Sequence, residues 1–89
     1  MIRETIEIIN KLGLHARAAA KLSHLANSFS SDIRLVYNGD RVDAKSLLGI
    51  LTLAASVGNK ITIETNGEHE EKALKEIVAL FNEKFNEES

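Results

Sequence analysis

Residues 10–22 read NKLGLHARAAAKL, placing His15 two residues before Arg17, where a run of helix formers begins. An imidazole is a nucleophile and proton carrier near neutral pH. A guanidinium forks onto phosphate or carboxylate. If Ala16 is the first helical residue, His15 is the N-cap and the N–H groups of Ala16, Arg17 and Ala18 point back past it. Those donors and the positive end of the helix dipole make an anion site. The arrangement suits a histidine that receives an anionic group into a cradle built by its own helix. Gly13 lets the backbone turn sharply and is expected to leave space above the imidazole. The nearby positive charge is expected to favour the neutral imidazole that a nucleophile needs.

The competing reading of His15 is an ordinary surface cap. A metal site is excluded as an expectation, because nine residues of helix turn His24 about 180° away and carry it about 13 Å along the axis. His69 does not complete such a site either. No hydroxyl or carboxylate is expected beside His15 to build a catalytic triad or dyad. A self-contained anion acceptor is what remains.

The elements that must hold this site follow from periodicity. IRETIEII (2–9) alternates with Ile2, Ile6 and Ile8 on one parity, which predicts a strand. From Ala16 to Phe29, the residues Leu22, Leu25, Ala26 and Phe29 form a helical stripe. DIRLVY (32–37) predicts a second strand, and Asn38-Gly39-Asp40 a hairpin into a short third strand at RVD (41–43). Ser46 caps a helix over 47–55 that SVGN breaks, and KITIET (60–65) alternates as a fourth strand. A last helix over about 69–85 carries Leu74, Ile77, Val78, Phe81 and Phe85 on one face, with Glu70 and Glu71 complementing its dipole. Its acidic end, NEES, is expected to fray.

That order predicts an α+β open-faced sandwich, βαββαβα. Three helices can cover only one face of a four-stranded, mainly antiparallel sheet, so the other stays wet. The 89 residues make one domain, expected to span 1–89. The absence of cysteine removes disulfides and thiolate sites. No apolar run reaches the roughly 20 residues of a membrane span, and the start does not resemble a signal peptide. A cytoplasmic monomer without membrane insertion is the expectation. A net charge of −2 with 4% aromatic residues argues against nucleic acid as partner.

GLHARAAAKL, DAKSLLGILTLAASVGNKITIETNGEHEEKALKEI and the element order between them resemble the HPr family of histidine-containing phosphocarriers, part of the bacterial phosphoenolpyruvate-dependent sugar phosphotransferase system. The resemblance covers essentially the whole chain. It implies that His15 is phosphorylated at Nδ1 by enzyme I, with Arg17 contacting the phosphate, and that sugar-specific IIA domains collect the group. It also implies a regulatory role for Ser46, modified by HPr kinase/phosphorylase. A related branch of the family serves nitrogen-linked regulation. No cofactor is implied.

LLGILTLAA (47–55) is apolar nearly all round, so Leu47, Leu48 and Leu51 are expected to form an exposed docking patch. Arg17, Lys21 and His24 form a basic line on the first helix, continued by Asn27, which would aid encounter with acidic partners. Ser46 satisfies a helix donor, worth about 1 kcal/mol. A phosphate there would suit the dipole and place negative charge beside Leu47 and Leu48.

Two classes of function follow: a phosphoryl carrier, or a regulatory module of the same fold whose phosphorylation state controls partners. An independent metabolic enzyme is disfavoured, because the sequence shows no cofactor motif or acid/base pair. One residue departs from the family pattern. Ala18 stands where the family usually has proline, which restores an N–H and relaxes the first helical turn. Phosphorylation is expected to survive this change, with an altered phosphohistidine lifetime. Comparing phosphohistidine decay in Ala18→Pro and the parent tests this, and identical lifetimes would make the departure irrelevant.

Overall fold

The computed structural model describes residues 1–87. Its elements are β1 (Ile2–Glu7), α1 (Ala16–Asn27), β2 (Asp32–Tyr37), β3 (Asp40–Asp43), α2 (Leu47–Thr52), β4 (Lys60–Asn66) and α3 (Glu70–Asn82). The order is the expected βαββαβα. The strands form one sheet in the order β1-β4-β2-β3, and all three pairings are antiparallel.

Alternation along β4 explains its central place. Ile61 and Ile63 point into the core, where they meet Ile33 and Leu35 of β2 and residues such as Leu22, Ala26, Ile77 and Phe81 from the helices. On the opposite face, Arg3 and Arg34 both pair in register with Glu64. Glu64 is buried even on this open face, because Arg41 donates through Nε at 3.1 Å and Arg3 lies 3.6 Å away. Thr5 and Thr62 share a hydroxyl hydrogen bond of 2.7 Å on the same face. Asn38 and Gly39 supply the two left-handed residues of the β2–β3 hairpin, with φ of 55° and 87°.

The helices are shorter than their periodicity suggests. α1 stops at Asn27, though Phe29 still packs against the core. α2 stops at Thr52, because Ala54 turns left-handed (φ 51°) and delivers the Ala55 carbonyl to the N–H of Leu14 at 3.0 Å. α3 begins after His69, itself left-handed at φ 63°, and the Glu70 carboxylate accepts from the Gly67 N–H at 3.0 Å.

The largest correction concerns the chain beyond α3. The helix does not run to residue 85. Lys84, Phe85 and Asn86 all have positive φ, and they form a short turn that doubles the chain back. Left-handed backbone costs roughly 1–2 kcal/mol per residue. Two contacts offset it: Phe85 is fully buried edge-on against Phe81, with ring centroids 4.9 Å apart, and its carbonyl accepts from Lys21 Nζ at 2.6 Å. Asn86 and Glu87 are therefore held in place, against the expectation of fraying. Glu88 and Ser89 lie outside the described residues.

Phe85→Ala is expected to cost about 3–5 kcal/mol, as for other fully buried aromatics. Urea titration measures this. A loss below about 1 kcal/mol would show that the turn does not depend on this ring.

Candidate functional site

His15 is the N-cap of α1, with extended backbone (φ −74°, ψ 176°), and its side chain makes no capping hydrogen bond. The first intrahelical bond runs from the Ala19 N–H to the His15 carbonyl at 2.8 Å. Consequently the N–H groups of Ala16, Arg17 and Ala18 meet no acceptor among the described residues. They are the orphan donors that every helix start exposes. Arg17 is exposed and forms no ion pair among the described residues. The Ala18 side chain is fully buried, so the first turn of α1 sits tightly on the core.

The loop before His15 is fixed by close packing. Gly13 has φ of 65°, and a Cβ there would lie 2.7 Å from both the Ala55 oxygen and the Ser56 Cα. The space that glycine saves thus faces the loop after α2, which corrects the expectation that it lies above the imidazole. Asn10, fully buried, donates from Nδ2 to the Gly13 carbonyl at 2.8 Å and closes the turn.

The structure adds a residue that local spacing did not reveal. The Glu87 carboxylate hydrogen-bonds His15 at Nε2 through one oxygen, and through the other accepts from Asn10 Nδ2 at 3.0 Å. A carboxylate does therefore lie beside His15, contrary to the sequence reading, and the helix end is not the only charge facing the ring. The pair is 72 residues apart in sequence. Its only local signal is Phe85, whose burial draws Glu87 inward. Burial works to raise the Glu87 carboxyl, but hydrogen bonds from Asn10 and His15, with the charges of His15 and Lys21, hold it below its ordinary value of 4.5.

Lys21 lies under this tail, because its ammonium is engaged by the Phe85 carbonyl. His24 is exposed further along α1. Asn27 donates to the carbonyls of Ser23 and Lys45, at 2.8 and 3.0 Å, and ties the end of α1 to the segment before α2. Ser46 caps α2 as expected, its Oγ accepting from the Gly49 N–H at 3.0 Å. Beside it, Leu48 is 73% exposed, and Leu47 and Leu51 also face solvent. Leu12, before the Gly13 turn, and Val57, in the loop after α2, are also exposed. No helix among the described residues is long and apolar enough to cross a membrane.

An open antiparallel sheet under three helices, with a histidine at the N-cap of the first, defines an α+β open-faced sandwich. The family model described as PTS HPr component phosphorylation site matches residues 2–83. Phosphocarrier protein HPr of Cupriavidus necator is 47% identical over 87 residues, 98% of each chain. Phosphocarrier protein NPr of Escherichia coli is 40% identical over 87 residues, 97% of each chain. The crystal structure of HPr-C-His from Thermoanaerobacter tengcongensis matches with a TM-score of 0.96 at 45% identity, covering 100% of both chains. The chain belongs to the HPr family of the phosphotransferase system.

The Glu87 contact sets a pH dependence. Its folded carboxyl binds a proton less readily than the unfolded one, so it stabilises the fold above pH 4.5 and loses that contribution as pH falls through the depressed folded value. The stability advantage of the parent over Glu87→Gln is expected to be full at neutral pH and to shrink in acid. Urea midpoints measured across that range check this. A difference that stays constant into strong acid would contradict the contact.

Proposed function

We propose that this protein accepts a phosphoryl group on His15 from phosphorylated enzyme I and passes it to sugar-specific IIA domains. The observation that carries this reading is the imidazole at a helix N-cap beside the unpaired N–H groups of Ala16, Arg17 and Ala18. Phosphoryl transfer asks little covalent chemistry of the protein, and is governed by positioning and charge stabilisation. The N–H groups and the Arg17 guanidinium would neutralise the phosphoryl oxygens as the donor's P–N bond breaks and the His15 N–P bond forms. The protein is then a carrier that is itself modified, not a catalyst turning over a small molecule.

Exposed Leu47, Leu48 and Leu51, with Arg17 and His24, would provide the docking face for both donor and acceptor proteins, whereas Lys21, expected on that face, is engaged by the Phe85 carbonyl. Ser46 would serve regulation through HPr kinase/phosphorylase. Its phosphate could keep accepting from the Gly49 N–H, so the added charge would act on partners and not on the fold. We place this chemistry in the cytoplasm. A second reading, in which the phosphorylation state of this chain governs regulators of the nitrogen-related branch, is favoured by its likeness to NPr.

Incubation with enzyme I and phosphoenolpyruvate, beside His15→Ala, tests the carrier reading. The parent is expected to gain one acid-labile phosphate and the variant none. An unlabelled parent, or a labelled His15→Ala, would overturn it.

A further inference from the structure

The Glu87 contact has a direction that bears on which ring nitrogen reacts. An imidazole at neutral charge carries one N–H and one lone pair, and the partner of one nitrogen decides the role of the other. The Glu87 carboxylate is an acceptor, so the nitrogen it meets, Nε2, must carry the proton. In the neutral ring Nδ1 then holds the lone pair, and it makes no hydrogen bond among the described residues. Asn10 fixes the other carboxylate oxygen, and is itself held by the Gly13 carbonyl. Lys21, engaged by Phe85 two residues earlier, keeps a positive charge near the carboxylate. Besides the ring itself, the charged group acting on this carboxylate among the described residues is thus Lys21; Asn10 is neutral.

We propose that Glu87 is a positioning residue for phosphoryl transfer, one that selects Nδ1 as the acceptor nitrogen and stabilises the ring charge that transfer creates. The proposal rests on the carrier reading of His15. In the step, the Nδ1 lone pair attacks phosphorus and forms the N–P bond. The bond from phosphorus to the donor nitrogen breaks, and its electron pair leaves with that nitrogen. The Nε2 proton stays in place, so the phosphorylated ring is formally cationic opposite Glu87. On the return transfer, the same cation makes the ring a good leaving group, because it departs as neutral imidazole. Removing the carboxylate weakens both effects, while removing only its charge leaves the nitrogen choice intact.

The test uses the full chain and two variants, with phosphoramidate as a small phosphoryl donor and enzyme I with phosphoenolpyruvate as the protein donor. Phosphorus and nitrogen NMR identify which ring nitrogen carries the phosphate. The parent is expected to carry it at Nδ1. Glu87→Ala is expected to raise the Nε2 share by about tenfold, the scale set by one lost hydrogen bond to a charged group. Glu87→Gln retains an acceptor and is expected to keep Nδ1. Its pH profile of phosphohistidine hydrolysis is expected to move about one unit to lower pH, the smaller end of the effect of a close opposite charge. Parent-like product and parent-like pH profile in both variants would overturn the role of Glu87 while leaving the carrier reading standing. Failure of the parent itself to take up phosphate from enzyme I would overturn both.

Discussion

The backbone of Gly13 rests directly on the backbone of Ala55 and Ser56, at a separation that admits no Cβ. Much of the molecule is arranged by this contact. It brings the loop before α1 against the loop after α2, where the Leu14 N–H donates to the Ala55 carbonyl. Further along the same two segments, Ile8 bonds both Gly58 and Asn59, so the pairing extends the edge of the sheet toward the site. Two loops that would otherwise move independently become one surface.

This contact also shows what was legible in the sequence and what was not. Gly13 announces a sharp turn, because positive φ is a local property of the residue. What it turns against is not local, and the missing Cβ faced Ala55 where the imidazole had been expected. The strands were legible because alternation of Ile61 and Ile63 with polar neighbours is itself the pattern of a sheet covered on one face. The end of α3 was not. Phe81 and Phe85 are spaced as a helical pair, and periodicity alone continues the helix through them. Only the burial of Phe85 after a left-handed turn, and the Lys21 bond to its carbonyl, reveal that the chain reverses. His15 and Arg17 were readable from spacing because the helix start that orients them lies in the same few residues. Glu87 required the whole fold to be known.

The tail illustrates how a core residue can place a surface charge. Phe85 anchors the reversed turn by burial, which acts without regard to direction, whereas the hydrogen bonds of Glu87 are directional. The first sets where the chain passes, and the second sets which atom faces the ring. Neither would suffice alone: a carboxylate on a frayed terminus would be screened by solvent, and a buried phenyl ring carries no charge. Asn10 couples the two halves of the arrangement. One amide nitrogen holds the Gly13 carbonyl and the Glu87 carboxylate together, so the turn that orients His15 and the tail that contacts it share a donor.

The two N-caps of the molecule make opposite use of the same helix physics. At Ser46 the hydroxyl accepts from the Gly49 N–H, which satisfies a donor of α2 within the chain. At His15 the side chain makes no such bond, and the donors at the start of α1 meet no acceptor among the described residues. An imidazole reaches past the helix end where a serine hydroxyl folds back onto it. A histidine in place of a short capping side chain therefore forgoes about 1 kcal/mol of helix stability and leaves the helix-start donors open among the described residues. α1 tolerates this because Ala18, Ala19, Leu22 and Ala26 bury its inner face, so its stability comes from packing and not from the cap. α2, six residues long with Ile50 as its buried residue, has far less packing to rely on, and its N-cap carries a hydroxyl. The difference in burial explains why the open helix end is found on α1.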